Sequence, residues 1–177
     1  TLGKACPSSA LCFGMHCVGT AVIAAKATPY QSEHYLTSIA RGEHITSLAL
    51  SESGTGANFY LSETVITSAA DHFLVNGTKQ FISGAGVNDV YVTMVRTGGD
   101  GAKGISCLVI EKGIEGLSFG APEKKLGWNA SPTAQVIFDN VKVPVENRVG
   151  AEGDGFRFAM MGLDGGRLNI GACSLGG

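Results

Sequence analysis

The sequence predicts an α+β fold, in which an antiparallel β-barrel or β-sandwich middle domain is flanked by helices on both sides. Apolar residues recur every three or four positions near both ends of the chain, whereas the middle zone alternates with period two and is interrupted by turns. This pattern predicts the end of an N-terminal helical domain at 1–45 and a β middle domain at 46–148. The segment 149–177 is then the first helix of a truncated C-terminal helical domain.

The composition is that of a globular protein with a sizeable core. Of the 177 residues, 44% are hydrophobic and 16% are charged, which excludes a disordered tail. The formal net charge is −2 and like charges form no run, so neither a nucleic-acid surface nor a polybasic membrane patch is expected. The apolar stretch from Leu11 to Ala27 is interrupted by Gly14, His16 and Gly19. These interruptions favour a buried helix over a membrane span.

The cysteines indicate a reducing compartment and no metal site. The five cysteines include no CxxC pair, and no signal peptide is visible, so an intracellular location is expected. Cys12 and His16 are four residues apart and could share a helix face, with Cys17 beside them, but a metal needs about four ligands and no second cluster supplies the others. We therefore predict buried, inert thiols.

Helical signals occur at both ends of the chain. A second N-terminal helix should begin at Thr28, because Gln31 three residues later completes a capping box, and it should end at Gly42. Tyr35 or Leu36 would then face the core. The helices before and after it should each present an apolar stripe. These stripes comprise Leu11, Met15, Val18 and Val22 in the first helix and Phe156, Met160 and Leu163 in the last.

The middle zone contains eight strand candidates. Asn76-Gly77 is a tight-turn signal between two of them, as is the glycine-rich run 98–101 between two others. Many short strands at this spacing predict an antiparallel barrel or sandwich. The predicted strands are Thr46–Leu50, Thr64–Ser68, Phe73–Val75, Gln80–Ser83, Val90–Arg96, Gly104–Glu111, Leu117–Phe119 and Gln135–Phe138.

A glycine-rich loop, LALSESGTGAN at 48–58, raises the possibility of a phosphate site. A phosphate-binding glycine loop opens a helix, whose N-terminus holds the anion. Here the strand pattern soon returns after Asn58, and no Gly-Lys-Ser/Thr follows. The phosphate interpretation is therefore disfavoured.

Four motifs, taken together, resemble the acyl-CoA dehydrogenase family, and the resemblance covers almost the whole chain. The glycine loop resembles the family's first signature, and the segment 79–86 (KQFISGAG) resembles its second. The third match is 125–133 (KLGWNASPT) with 136–144 (VIFDNVKVP), and the fourth is 164–167 (DGGR). The residues at 96–99 (RTGG), 104–107 (GISC) and 116–120 (GLSFG) are most similar to those of the short branched-chain members, of the kind that act on isobutyryl-CoA.

The resemblance implies FAD-dependent α,β-dehydrogenation of a short acyl-CoA, with the β hydrogen leaving as hydride to flavin N5. It further implies electron-transfer flavoprotein as partner, a homo-oligomeric full-length protein, and a mitochondrial matrix location in a eukaryote or a cytoplasmic one in a bacterium. Backbone and hydroxyl donors should meet the flavin's polar edge. The implied FAD-binding residues are Leu48, Ala49, Leu50, Ser51, Thr55, Gly56, Ala57, Phe81, Ile82 and Ser83, and the implied substrate-binding residues are Ala57, Ser131, Asp164 and Arg167.

Three departures from the family pattern bear on activity. Ala57 and Asn58 stand where relatives commonly have serine and aspartate, which removes one ligand hydrogen bond and should weaken substrate binding by about 1 kcal/mol. Gly166 stands where a minority of members carry the catalytic glutamate. The catalytic base is therefore expected beyond Gly177, and the chain alone should be inactive and hold flavin weakly or not at all.

Two other functions stay open at this stage. A related acyl-CoA oxidase or flavin monooxygenase has the same build, and the oxygen reactivity of reduced flavin would distinguish it. Alternatively, the chain is a non-catalytic binding module whose apolar helix stripes seek a partner. A colourless protein that dimerises in solution would favour the module, and bound flavin would favour the enzyme.

Overall fold

The computed structural model describes residues 2–177 and shows helices at both ends of a β-rich middle. The helices are α1 (Leu2–Ala5), α2 (Pro7–Ala25), α3 (Pro29–Gln31), α4 (Thr37–Ala40) and α5 (Gly155–Gly176), with a π-helical turn at Ser32–Leu36 between α3 and α4. The strands are β1 (Thr46–Ala49), β2 (Val65–Ser68), β3 (His72–Ser83), β4 (Val90–Arg96), β5 (Ile105–Glu111), β6 (Leu117–Phe119), β7 (Thr133–Pro144) and β8 (Arg148–Val149).

The predicted capping box opens the second N-terminal helical segment. The Thr28 hydroxyl accepts from the backbone N–H of Gln31, while the Gln31 side chain accepts from the backbone N–H of Thr28. The Gln31 amide also donates to the carbonyls of Glu146 and Arg148, so it anchors this helix to the end of the β domain. Tyr35 is fully buried, as its predicted core position requires.

The described strands form one eight-stranded sheet, which confirms the α+β class. Its order is β6-β7-β3-β2-β4-β5-β8, and β1 pairs with β4 outside that path. Most pairings are antiparallel, but β1 runs parallel to β4, and β2 meets β4 in a parallel bridge. The expectation of a purely antiparallel sheet was therefore wrong at β1. Helices α2, α3 and α4 precede β1, and α2 packs on β1. The direction of β1 is therefore not set by a hairpin turn.

The Asn76-Gly77 turn prediction was wrong, because both residues lie inside the long strand β3. The register with β7 slips between Val75 and Gly77, so the pair forms a β-bulge. Gly77 has φ +146°, and a Cβ there would lie 2.6 Å from the Thr64 hydroxyl. Glycine is needed here because two strands approach each other closely through their backbones. In the sequence, such a glycine gives the same local signal as the glycine of a turn. The predicted strands on either side are thus one strand.

Two hydrophobic clusters lie on opposite faces of β4 and β5. Val92 and Met94 of β4 face the helices, whereas Tyr91 and Val95 face the side where β3 and β7 pack. Both faces are covered, so β4 and β5 are buried along nearly their whole length. Such strands are mostly apolar, as these two are apart from Thr93 and Ser106 within them and Arg96 and Glu111 at their ends.

Helices α2 and α5 pack against each other, so the two predicted apolar stripes are partners within the chain. Gly162 sits at the crossing, where an added Cβ would lie 3.0 Å from Val22. In α5 the most deeply buried side chains are Phe158 and Ala159, beside the predicted stripe, whose members Phe156, Met160 and Leu163 are partly buried. By length and hydropathy alone α2 could cross a membrane, and in the structure one of its faces packs on β1 and α5.

The cysteines are less uniformly buried than predicted. Cys107 and Cys173 are buried, whereas Cys6, Cys12 and Cys17 are half-buried on or beside α2, where one helix face points away from the core. No cluster of three or more metal-ligating side chains occurs within residues 2–177. The Nδ1 atom of His16 instead accepts the backbone N–H of Thr46 at 3.0 Å and joins α2 to β1.

Candidate functional site

The first two motifs meet at the end of β1. The chain leaves β1 through Leu50 and Ser51, and the Ser51 carbonyl accepts the backbone N–H of Gln80 in β3 at 2.7 Å. The register between β3 and β7 slips between Lys79 and Ile82, which places a second β-bulge at this point. Loop 51–58, the segment from Ser51 to Asn58, therefore lies against a bulged part of β3.

The bulge turns Phe81 out of the sheet. Its φ of +58° is uncommon for a residue that carries a side chain, and its side chain is 62% exposed. Ile82, the next residue, is buried in the β3/β7 cluster. A left-handed aromatic at a bulge is a costly conformation for a folded chain, and such conformations concentrate at functional sites. The implied role of Phe81, as a cover for a planar ligand, matches its exposure.

A buried ion pair lies beneath the two loops. The Lys79 ammonium donates to Glu52 Oε1 at 2.7 Å and also to the carbonyl of Leu50 and the hydroxyl of Ser62. Glu52 further accepts from the backbone N–H groups of Glu63 and Thr64 and from the hydroxyls of Ser62 and Thr64. Its carboxylate thus ties the start of loop 51–58 to the segment 62–64 that precedes β2.

Burial and ion pairing shift the pKa of each of these two groups in opposite directions. Burial alone would raise the pKa of the Glu52 carboxyl, but the Lys79 charge and the surrounding donors outweigh it and lower the pKa to about 2. Burial lowers the pKa of the Lys79 ammonium to about 8, although Glu52 opposes that shift. At neutral pH both groups are therefore charged.

Several implied flavin residues can offer only their backbone to a ligand. Leu48 packs in the helix-side cluster, and Ala49 and Ile82 pack in the opposite cluster. Leu50 is half-buried, and its carbonyl accepts from Lys79. Gly56 and Ala57 are exposed at the tip of loop 51–58. The side chains available at this edge are those of Ser51, Ser83 and Phe81.

Two buried hydroxyls near these loops lack a partner among residues 2–177. Thr55 is 4% exposed and Ser131 is 1% exposed, and neither side-chain oxygen is hydrogen-bonded. Buried polar atoms are nearly always paired in folded proteins, by protein, water or ligand. The Ser131 carbonyl accepts from Lys125, which also donates to Thr133 at 2.7 Å. Like the Thr55 hydroxyl, the Ser131 hydroxyl is buried and unpaired within the described residues, and its contact with the CoA arm stays a prediction.

Ser83 lines a small apolar cavity of about 210 Å³ between β3 and α2. The Ser83 carbonyl accepts from the Ser47 hydroxyl, which fixes the end of β3 next to β1. Met15 of α2 lies on the far wall of this cavity. The other lining residues are Cys12, Ile45, Gly84, Val87, Asn88 and Pro132.

Met15 also lines a larger apolar groove of about 310 Å³ between α2 and α5. Arg167 lies on the wall of that groove and pairs with Asp164, one helical turn earlier on the exposed face of α5. The structure thus places the fourth motif beside an apolar groove, separated from Ser83 by Met15. The remaining lining residues are Leu11, Gly14, Val18, Leu163, Gly166, Asn169, Ile170 and Cys173.

The sequence predictions assigned no role in a flavin or substrate site to Glu52, Lys79 or the groove-lining part of α2. A signal existed for the ion pair, since each of the first two motifs carries one charge, and the charges are opposite. Met15 belongs to a predicted apolar stripe, but no pattern distinguishes a residue that packs from one that lines a groove.

Comparison with known proteins identifies the family. Residues 47–141 match the model of the acyl-CoA dehydrogenase middle domain. Isobutyryl-CoA dehydrogenase, mitochondrial, of Dictyostelium discoideum is 47% identical over 99% of this chain and 42% of its own length. Butyryl-CoA dehydrogenase from Megasphaera elsdenii superposes with a TM-score of 0.96 at 33% identity, over 99% of this chain and 46% of that one.

A chain from a structure entitled electron transferring flavoprotein of Acidaminococcus fermentans superposes with a TM-score of 0.95 at 35% identity, over 99% of this chain and 47% of that one. This chain therefore spans less than half the length of these relatives. The family model covers more than half of this chain, and its members are FAD-dependent flavoproteins that oxidise acyl-CoA. The chain belongs to the acyl-CoA dehydrogenase family.

Proposed function

We propose that the protein to which this chain contributes dehydrogenates a short, branched acyl-CoA with FAD, and that isobutyryl-CoA is the substrate to test first. The observation that carries the proposal is the meeting of the two motif loops, where Phe81 is turned out beside loop 51–58. The identity to isobutyryl-CoA dehydrogenase supports the choice of acyl group. When bound, FAD supplies the hydride acceptor.

The residues at this edge fit a flavin. Loop 51–58 and the end of β3 offer backbone groups, the Ser51 and Ser83 hydroxyls, and the unpartnered hydroxyl of Thr55. Hydrogen-bond donors that are fixed before the ligand binds stabilise negative charge on it without reorganisation. Phe81 supplies an exposed aromatic face of the kind that stacks on a planar ring. In the proposed enzyme this chain therefore holds and orients the flavin ring.

The groove between α2 and α5 suits a short acyl chain. Its walls are mostly apolar, and Arg167 provides a cation at its edge. A guanidinium is a good partner for the phosphate and carbonyl oxygens of a CoA arm. The Asp164–Arg167 pair is solvent-exposed, so it contributes little stability and is free to serve a ligand. The missing serine at Ala57 weakens, but does not remove, substrate contacts from the loop.

The proposed active site needs a base that these residues do not provide. Gly166 lines the groove at the position where some relatives carry the catalytic glutamate, and it has no side chain to take the α proton. We therefore place the base outside residues 1–177. Electron-transfer flavoprotein as acceptor and a mitochondrial location in a eukaryote are further parts of this proposal, which the names of two relatives support. A homo-oligomeric whole protein and a cytoplasmic location in a bacterium are parts of the proposal that rest on the family resemblance alone.

The test separates flavin binding from turnover. We expect excess FAD to slow hydrogen–deuterium exchange in peptides covering 48–58 and 79–86, with weak affinity by equilibrium dialysis. Phe81→Ala should weaken FAD binding by about two- to tenfold, because aromatic stacking contributes about 0.5–1.5 kcal/mol. Phe13→Ala is the matched control, since Phe13 is an exposed aromatic of α2 that belongs to neither motif.

Two results would contradict the proposal in different ways. Exchange that FAD leaves unchanged in both peptides would refute the flavin site. Turnover of isobutyryl-CoA by the chain with FAD and an artificial electron acceptor would refute the placement of the base elsewhere. Rapid reoxidation of the reduced flavin by oxygen would instead favour the oxidase or monooxygenase alternative.

A further inference from the structure

The buried pair of Glu52 and Lys79 is placed where the two flavin motifs meet. Glu52 is the second residue of loop 51–58, and Lys79 lies two residues before Phe81 in β3. Their side chains are 6% and 0% exposed, and neither group can contact a ligand directly. The proposed reaction makes no use of them, so their function must act through their neighbours.

The pair joins three segments of backbone. Lys79 donates to the carbonyl of Leu50 at 3.3 Å, so the ammonium bridges the end of β1 and the Glu52 carboxylate. Glu52 in turn accepts the backbone N–H of Glu63 at 2.6 Å and that of Thr64 at 3.0 Å. A single carboxylate therefore closes the chain segment from Glu52 to Thr64, which contains most of loop 51–58.

The same arrangement supports the bulge. Gln80, between Lys79 and Phe81, donates its backbone N–H to the Ser51 carbonyl instead of to β7. This bond exists because loop 51–58 is held against β3. Lys79, the residue before Gln80, holds the loop there through its bonds to Leu50 and Glu52. The left-handed conformation of Phe81 persists only if its surroundings over-determine it.

We infer that the Glu52–Lys79 ion pair is a positioning element of the flavin site, which fixes loop 51–58 against the β3 bulge and thereby keeps Phe81 and the Thr55 hydroxyl oriented toward the cofactor. The inference rests on the proposed function. Charged pairs are expensive to bury, and apolar replacements often match or exceed their stability. The geometry here indicates what the buried pair provides despite this cost, which is a defined conformation of loop 51–58.

Lys79→Met and Glu52→Gln test the inference in the same 177-residue chain. In either variant we expect amide exchange in the 50–58 and 79–83 peptides to accelerate by about tenfold or more, as the loss of a charged hydrogen bond implies. The β4 peptide 90–96 should remain more protected than the two loop peptides, although global destabilisation also speeds its exchange, and the protection that FAD gives to both loops should fall. The double variant Glu52→Gln/Lys79→Met should regain stability, because no buried charge is left unpaired, yet keep the loop loose.

Gln31→Met is the matched control. Gln31 is a fully buried polar residue whose amide makes two hydrogen bonds to backbone carbonyls far from these loops. It should lower the melting temperature without changing exchange in 50–58 or FAD protection. Loop exchange that is unchanged in Lys79→Met, or that rises equally in Gln31→Met, would overturn the inference.

The outcomes also separate this inference from the proposed function. If FAD protects the wild-type loops but Lys79→Met leaves both exchange and FAD protection unchanged, the positioning role is refuted and the flavin site stands. If FAD protects neither loop in the wild-type chain, the flavin site is refuted, and with it any positioning role toward FAD.

Discussion

Replacing Gly155 with alanine tests how closely α5 rests on the sheet. Gly155 is the first residue of α5 and is buried against β5. A Cβ at this position would lie 2.5 Å from the backbone carbon of Ser106 and 2.6 Å from its oxygen. The obstacle is backbone, so it cannot rotate away, and the helix would have to move by about 1 Å to restore ordinary contact.

Two effects of the Gly155→Ala change oppose each other. Alanine favours a helix over glycine by about 1 kcal/mol. Overpacking a tight interface costs about 1–3 kcal/mol. Because a helix gains less from alanine in its first turn, we expect a net loss of about 1–2 kcal/mol in the free energy of unfolding. The shift of α5 should also disturb the groove that it forms with α2.

Gly165→Ala provides the matched control on the same helix. An added Cβ at Gly165 meets nothing within 4 Å, so only the helix preference acts there. Urea unfolding followed by circular dichroism should show Gly165→Ala stabilised by about 0.5–1 kcal/mol and Gly155→Ala destabilised. Equal stabilisation of both variants would refute the close approach between α5 and β5.

Three further predictions concern charged and titrating groups. Lys79→Met should lower the free energy of unfolding by about 3–5 kcal/mol, because it strands the buried Glu52 carboxylate, and a loss below about 1 kcal/mol in urea unfolding would contradict this. The pKa of Glu52 is lowered from 4.5 to about 2, so its contribution is present above pH 4.5 and is lost as the pH falls from there towards 2; the urea midpoint should decline over that range. Burial lowers the pKa of His16 below its ordinary 6.5, so the unfolded chain binds a proton first and stability should fall as the pH decreases through about 6.5. His16→Gln, which keeps an acceptor for the Thr46 N–H, should flatten that last step, and an unchanged slope would show that another group titrates.

The sequence determined the element types where a local signal and the tertiary environment agree. The capping box at Thr28 and Gln31 uses side chains three residues apart, so no distant contact can displace it. The apolar runs at 90–96 and 105–111 became strands buried on both faces. The four motifs also identified the family, because their order and spacing are properties of the chain itself.

The tertiary structure decided features whose cause lies far along the chain. Gly77 reads as a turn residue, but its neighbour across the sheet is Thr64, and that contact makes it a bulge within a continuous strand. The parallel pairing of β1 with β4 places Thr46 beside Val90, far along the chain, so no local turn sets its direction. In both cases the local signal was real, and the distant partner determined which structure it formed.

The candidate site also combines features that the sequence alone determined with features that only the tertiary structure decided. The sequence alone determined which residue types lie at the proposed flavin edge, including Ala57 and Asn58 in place of the relatives' serine and aspartate, because these are read directly from the motifs. Only the tertiary structure showed that Glu52 and Lys79, 27 residues apart, form one buried pair beneath those loops. A charge has no periodicity that reveals its partner, and its burial is a property of the folded chain.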